Sequence, residues 1–161
     1  MPRRILVGVA LVALAAGAIA AVVVIWGSDE RSPRVGDHWH ATYTFRVCGE
    51  KQPNAPFWQS GVHSEGDGLL HISPFTDEEE GGGARLVKWF EYGVGLLTDY
   101  EVRLPGQDRL YRNGNPCPDG STGVVQVFVT TSATGVEEKL DDWSEYIPKD
   151  GDRIAIGFGP E

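Results

Sequence analysis

The sequence predicts an α+β domain, a mixed β-sheet with one covering helix in a β-grasp-like arrangement, preceded by one N-terminal transmembrane helix. Three observations carry this expectation. Strand-like runs rich in β-branched and aromatic residues lie at 38–48, 123–131 and 153–158. One amphipathic helical pattern, Ala84 to Tyr92, stands between them. Ahead of all of these, Ile5 to Trp26 is uncharged and apolar.

The composition suits a folded chain, with 41% hydrophobic and 23% charged residues in 161. The formal net charge is -9, from 14 Lys plus Arg against 23 Asp plus Glu. A nucleic-acid partner is not expected, because the phosphate backbone selects a basic face. A polybasic attachment to anionic lipid is disfavoured for the same reason.

The run Ile5–Trp26 is 22 residues long, enough to cross a hydrocarbon core of about 30 Å. Arg3 and Arg4 precede it and favour a cytoplasmic N-terminus, and Trp26 stands where an interfacial aromatic belongs. The rival is a cleaved signal peptide with a small-residue site at Ala18-Ile19-Ala20. Cleavage there leaves the apolar stub Ala21 to Trp26, so the uncleaved signal-anchor is the favoured reading. The organisation is then 1–27 cytoplasmic stub and membrane helix, 28–34 polar linker (SDERSPR), and 35–161 extracytoplasmic domain. The protein is expected in the cell membrane as a single-pass chain, with its C-terminal domain outside.

The segment HWHATYTFRVC, 38–48, alternates as a strand. Trp39, Ala41, Tyr43, Phe45 and Val47 form its apolar face; His38, His40, Thr42, Thr44, Arg46 and Cys48 form the other. His38 and His40 therefore lie side by side, and an H-x-H pair on a strand can supply two imidazoles to one metal ion. Two solvated histidines at a strand start would look the same.

After the Pro-containing loop 52–56, Gly66-Asp67-Gly68 marks a turn between two short apolar runs. A three-residue turn pairs Glu65 with Leu69 and so places His63 opposite His71. Cross-strand Cβ atoms lie about 4.5–5.5 Å apart; a two-residue turn would break this match. Glu65 and Asp67 are then available to ligate or to orient an imidazole. All four histidines fall within 38–71, and the candidate metal set is His38, His40, His63, His71 and Glu65, for copper or zinc. The structural alternative is that these rings bond only each other, backbone carbonyls and water.

Together, His38-Trp39-His40, Cys48-Gly49, His63-Ser64, Gly68-Leu69-Leu70-His71-Ile72 and Asp150-Gly151-Asp152-Arg153-Ile154-Ala155-Ile156 resemble an uncharacterised family of membrane-anchored extracytoplasmic bacterial and archaeal proteins. The resemblance spans most of the domain and implies no activity. The chain departs from the family pattern at Glu65, where the family has a second His, and at Ser73, where it has a Glu. A metal site here would therefore recruit Glu65 or be poorer in ligands.

Asp77 to Glu80 run into Gly81 to Gly83, which reads as a solvated acidic loop. Its spacing does not match a calcium loop. Ala84 to Tyr92 is the covering helix, with Leu86, Val87, Trp89 and Phe90 inward and Gly93 and Gly95 as stops. The stretch 97–104 is ambiguous between strand and helix. Gly123 to Thr131 reads as a central strand, Asp141 to Tyr146 as one helical turn, and Arg153 to Phe158 as the last strand, like the closing strand of β-grasp domains. Outside a membrane, Cys48 and Cys117 most simply form a disulfide. The rival is Cys48 as a thiolate ligand beside His38 and His40.

Three functions fit this pattern. The first is a membrane-tethered metal-binding domain. The second is a non-catalytic interaction module or accessory subunit with a membrane-protein partner. An enzyme is the least favoured, because no G-x-S-x-G, H-E-x-x-H, C-x-x-C or cupin-type signature is present. Met1 is the single methionine, which excludes a Met-rich copper site.

Overall fold

The computed structural model describes residues 32–161, which form one compact unit, Ser32–Glu161. Ten strands and one α-helix are present among the described residues. The strands are β1 (Trp39–Val47), β2 (Glu50–Lys51), β3 (Val62–Ser64), β4 (Leu69–Ile72), β5 (Leu96–Leu97), β6 (Glu101–Arg103), β7 (Tyr111–Arg112), β8 (Val124–Thr130), β9 (Glu137–Lys139) and β10 (Arg153–Gly159). The helix α1 is Leu86–Tyr92.

The main sheet has the order β3-β4-β1-β10-β8-β9, with β2 paired to the end of β1. It is mixed. The first long strand lies parallel to the last, from Thr42↔Arg153 to Val47↔Phe158, and every other pairing in the sheet is antiparallel. The class is α+β.

Alternation decides the two faces. Ala41, Tyr43 and Phe45 of β1 are buried, as are Val125, Val127 and Val129 of β8 and Ile154, Ile156 and Phe158 of β10. The helix covers this face with Leu86, Trp89 and Phe90, all fully buried. Trp89 lies 4.8 Å from the Tyr43 ring and 5.2 Å from Trp58, centroid to centroid. Burying one such apolar side chain stabilises by roughly 1.5–3 kcal/mol.

The expected fold class needs correction in its N-terminal part. Among the described residues no helix is long and apolar enough to cross a membrane, and the segment 1–27 assigned to a transmembrane helix lies outside them. The idea of a single sheet is corrected as well, because β5, β6 and β7 form a second, three-stranded sheet. The stretch 97–104 thus resolves as the end of β5, a tight bend and β6, paired antiparallel. Asp141 to Tyr146 is a series of bends and turns, not a helical turn. The described end of the expected linker is tied down: Pro33 is buried and its carbonyl accepts from Gly81 N at 2.9 Å.

The acidic loop is not merely solvated. Two short 3-10 turns, Asp77–Glu79 and Gly81–Ala84, shape it. Glu79 is its anchor: Oε1 accepts from Ser60 Oγ and Gly61 N, both at 2.8 Å, and Oε2 accepts from Phe75 N at 2.7 Å. Burial pushes this carboxyl up, but those bonds outweigh it and hold Glu79 below the usual carboxylate range. Gly61 makes the approach possible, since a Cβ there would sit 2.7 Å from both Phe75 N and Ser73 O.

The disulfide forms between Cys48 and Cys117, with Cα atoms 5.6 Å apart. It closes a span of 69 residues and joins the end of β1 to the turn before β8. It leaves no free cysteine among the described residues, so the thiolate-ligand alternative for Cys48 does not hold.

The turn before β10 is organised by Asp152, which is almost fully buried. Its Oδ2 accepts from Tyr146 OH at 2.6 Å and Lys149 N at 2.8 Å, and its Oδ1 accepts from Ser132 N at 2.8 Å. Burial and the adjacent carboxylate push the Tyr146 phenol far up. Asp152→Ala strands three donors in a site with little water. It should cost about 2–4 kcal/mol in a urea unfolding experiment; a change under about 0.5 kcal/mol would show that the turn holds without it.

Candidate metal centre

Three strands meet at one level of the sheet. In β3 and β4, His63 pairs with His71, and in β4 and β1, His71 pairs with His40. Paired residues project to the same face, so three imidazoles stand in a row across the sheet. The face is the one opposite α1, because their neighbours Ala41, Leu70 and Val62 point into the core. His38, two residues before His40 and just ahead of β1, extends the row.

The turn chosen by the sequence sets this register. Gly66 and Gly68 adopt φ of +83° and +88°, which glycine enters without steric cost. With Asp67 between them the hairpin turns over three residues, and His63↔His71 follows. A buried polar network then fixes the turn against the core. Ser64 Oγ donates to Ala55 O at 3.0 Å, lies 3.1 Å from Tyr43 OH and accepts from Gly66 N at 3.2 Å. Tyr43 OH also accepts from Ala55 N at 2.9 Å. Two indoles hold the outer strand: Trp58 donates to Val62 O and Trp89 to His63 O, each at 3.0 Å.

The rings touch in sequence. His63 and His71 stack at 5.0 Å with planes 13° apart. His71 meets His40 edge-on at 4.7 Å, and His40 meets His38 edge-on at 4.5 Å. Carboxylates border one end: Glu65 Oε1 lies 3.5 Å from His63 Nε2, and Asp67 Oδ2 lies 3.1 Å from His71 Nε2. Asp67 Oδ1 accepts from Leu69 N at 2.9 Å, so the carboxylate that orients His71 is itself oriented. Phe57 flanks His63 at 6.3 Å.

One donor atom from each of His63, Glu65 and His71 lies within 4.8 Å of the others, a group that could hold a metal ion. The donor chemistry fits. Two imidazoles and a carboxylate form a recurring set for zinc. His63 Nδ1 is buried and has no hydrogen-bond partner among the described residues, unusual for a buried nitrogen. Of the sequence candidates, His38 and His40 are adjacent to this group and not within it. His38 Nδ1 is hydrogen-bonded to Ser73 Oγ at 2.5 Å. His40 is fixed through its backbone, its N–H donating to Asp150 Oδ1 and its carbonyl accepting from Gly151 N, both at 2.8 Å. Cys48 lies at the opposite end of β1. The roles of Ser73 and Asp150 are not visible in the sequence, because both contacts depend on which strands lie side by side.

No protein-family model matches the chain, and no curated protein or solved structure is significantly similar to it. The family resemblance rests on the residue pattern alone.

Two titrations describe the site's electrostatics. Burial, then the neighbouring His71 and His38 rings, hold His40 below its ordinary 6.5, and the Asp150 and Asp67 carboxylates only partly offset this. Burial pushes Asp67 up, but the Leu69 amide and His71 outweigh it and hold the carboxyl below its usual range. Asp67 therefore contributes stability that is lost only in strong acid, as pH falls through its lowered value.

For His40 the loss comes earlier. Above pH 6.5 neither folded nor unfolded chain binds the proton and the full stability is present. Below it the unfolded chain protonates first, so stability falls until pH passes the lower folded value. The metal-free protein should lose unfolding free energy just below pH 6.5, and His40→Asn should flatten that part of the profile. An unchanged slope in the variant would mean that His40 is not the group responsible.

Proposed function

We propose that this is an extracytoplasmic, non-catalytic domain that binds one divalent transition-metal ion, zinc or copper, through His63, His71 and Glu65. The observation that carries the reading is the cross-strand pairing of His63 with His71, which brings two imidazoles and the Glu65 carboxylate within 4.8 Å of one another. Zinc is the better match, because the set is one it commonly takes; copper accepts the same imidazoles. Bonds of about 2.0–2.2 Å require the three donors to draw together slightly on binding. Asp67 serves as the carboxylate behind His71, the arrangement that usually sets a ligating ring's tautomer and direction. The location outside the cytoplasm is supported by the Cys48–Cys117 disulfide, since such bonds persist in oxidising compartments.

Isothermal titration of the protein with zinc, and separately with copper, tests the site. One equivalent should bind. His63→Ala/His71→Ala should weaken binding by about a hundredfold or more, and Asp67→Asn by about tenfold. Binding that the double variant leaves intact would remove the function from these residues. For the compartment, thiol labelling of protein isolated without reductant should find Cys48 and Cys117 blocked. Quantitative labelling of both would place the chain in a reducing environment.

A further inference from the structure

We propose that His38 and His40 form an exchange path that carries the ion to and from the His63–His71–Glu65 site, which would make the domain a metal-transfer module and not a static holder. The inference rests on the metal-binding reading above.

The four rings form an unbroken series at 4.5, 4.7 and 5.0 Å between successive centroids. Exposure falls over the first three rings: His38 is exposed, His40 is half-buried, and His71 is 7% exposed. His63, beyond His71, is half-buried, and Glu65 is exposed. The series therefore runs from solvent at His38 to the metal group, which also meets solvent at Glu65.

An ion bound by two nitrogens holds them at most about 4 Å apart, given zinc–nitrogen bonds of about 2.0–2.1 Å. Rings with centroids 4.5–5.0 Å apart reach that spacing with small side-chain rotations. Each step is then associative. The lone pair of the next imidazole forms a bond to the ion before the previous imidazole leaves, and the displaced lone pair returns to solvent or a hydrogen bond. Electrons and charge balance at every step, and no oxidant or reductant is needed.

The side chains are prepared for this in different ways. Ser73 Oγ engages His38 Nδ1, which leaves Nε2 as the nitrogen to meet an incoming ion. Asp150 fixes only the backbone of His40, so that ring keeps its freedom to swing between His38 and His71. Asp150 places one carboxylate near His40, while Asp67 and Glu65 place two beside His71 and His63, so the charge that draws a cation is greater at the site.

A path differs from a ligand in one measurable respect. It lowers the barrier in both directions and leaves the equilibrium constant where it was. Stopped-flow uptake of Zn²⁺ by the full chain, and transfer of bound zinc to a chromophoric chelator, read the two directions. His38→Ala/His40→Ala should bind one zinc with unchanged affinity and slow both uptake and release by about tenfold. His38→Ala alone, at an exposed position, should slow both by a smaller factor and guards against misfolding of the double variant. Unchanged rates in both variants would overturn the path and leave the metal site standing. Weaker affinity with faster release would make His40 a resident ligand and also overturn it. If the unmodified protein binds no zinc, the metal-binding reading fails and the path with it.

Discussion

The indole N–H of Trp89 donates to the backbone carbonyl of His63 at 3.0 Å, and this bond joins the two halves of the molecule's physics. Trp89 belongs to the core: it is fully buried and sits among Tyr43, Phe45, Trp58 and Phe90. His63 belongs to the site, on the outermost and one of the shortest strands of the sheet. A three-residue edge strand with exposed ladder groups would fray or pair with another chain. Here the Val62 carbonyl is instead taken by the Trp58 indole, and the Trp89 indole adds a hold on the neighbouring carbonyl of His63. Packing energy from the helix is thereby spent on holding the strand that carries a candidate ligand.

The second constraint is register, and it explains what could be read from the sequence. The glycines at 66 and 68 declare the turn, the turn fixes which residues face each other, and His63 opposite His71 follows from counting. Alternation along β1 likewise separates the core face from the histidine face. The approach of His40 to His71 is harder to foresee. It requires β4 to dock beside β1, and local pattern does not choose a strand's neighbour. The Glu79 anchor was hidden for a related reason. A carboxylate in an acidic run looks solvated until the partners Ser60, Gly61 and Phe75, remote in sequence, are brought to it. The second sheet escapes because its strands are two or three residues long, below the length at which a period can be recognised. The cysteine pair was legible because two cysteines leave only one pairing within the chain.

The sheet divides labour between its faces. One face takes the apolar side chains and the helix. The other is free of packing demands, so polar residues can be placed on it without disturbing the core. Four histidines and two acids at one end of that face would be costly in the interior, where each charge needs a partner. On this face the same groups keep contact with solvent except His71, which is buried with Asp67 beside it. Burial and the neighbouring rings lower His40, and the Leu69 amide and His71 lower Asp67, without threatening the fold.

This arrangement bears on how metal and stability are coupled. In small metal-folded domains the ligands come together only when the ion arrives, so binding free energy is folding free energy. Here the backbone positions of the candidate ligands are already fixed by other means. The Ser64–Tyr43–Ala55 network holds the turn, the indoles hold β3, Asp150 and Gly151 hold His40, and the disulfide closes the far end of β1. An ion entering such a site would order only side chains and would add stability by mass action, about 2.7 kcal/mol at a hundredfold excess over Kd. It would not create the fold. A frame that stands without its ion can release the ion and remain intact, which is the physical requirement for passing a metal on.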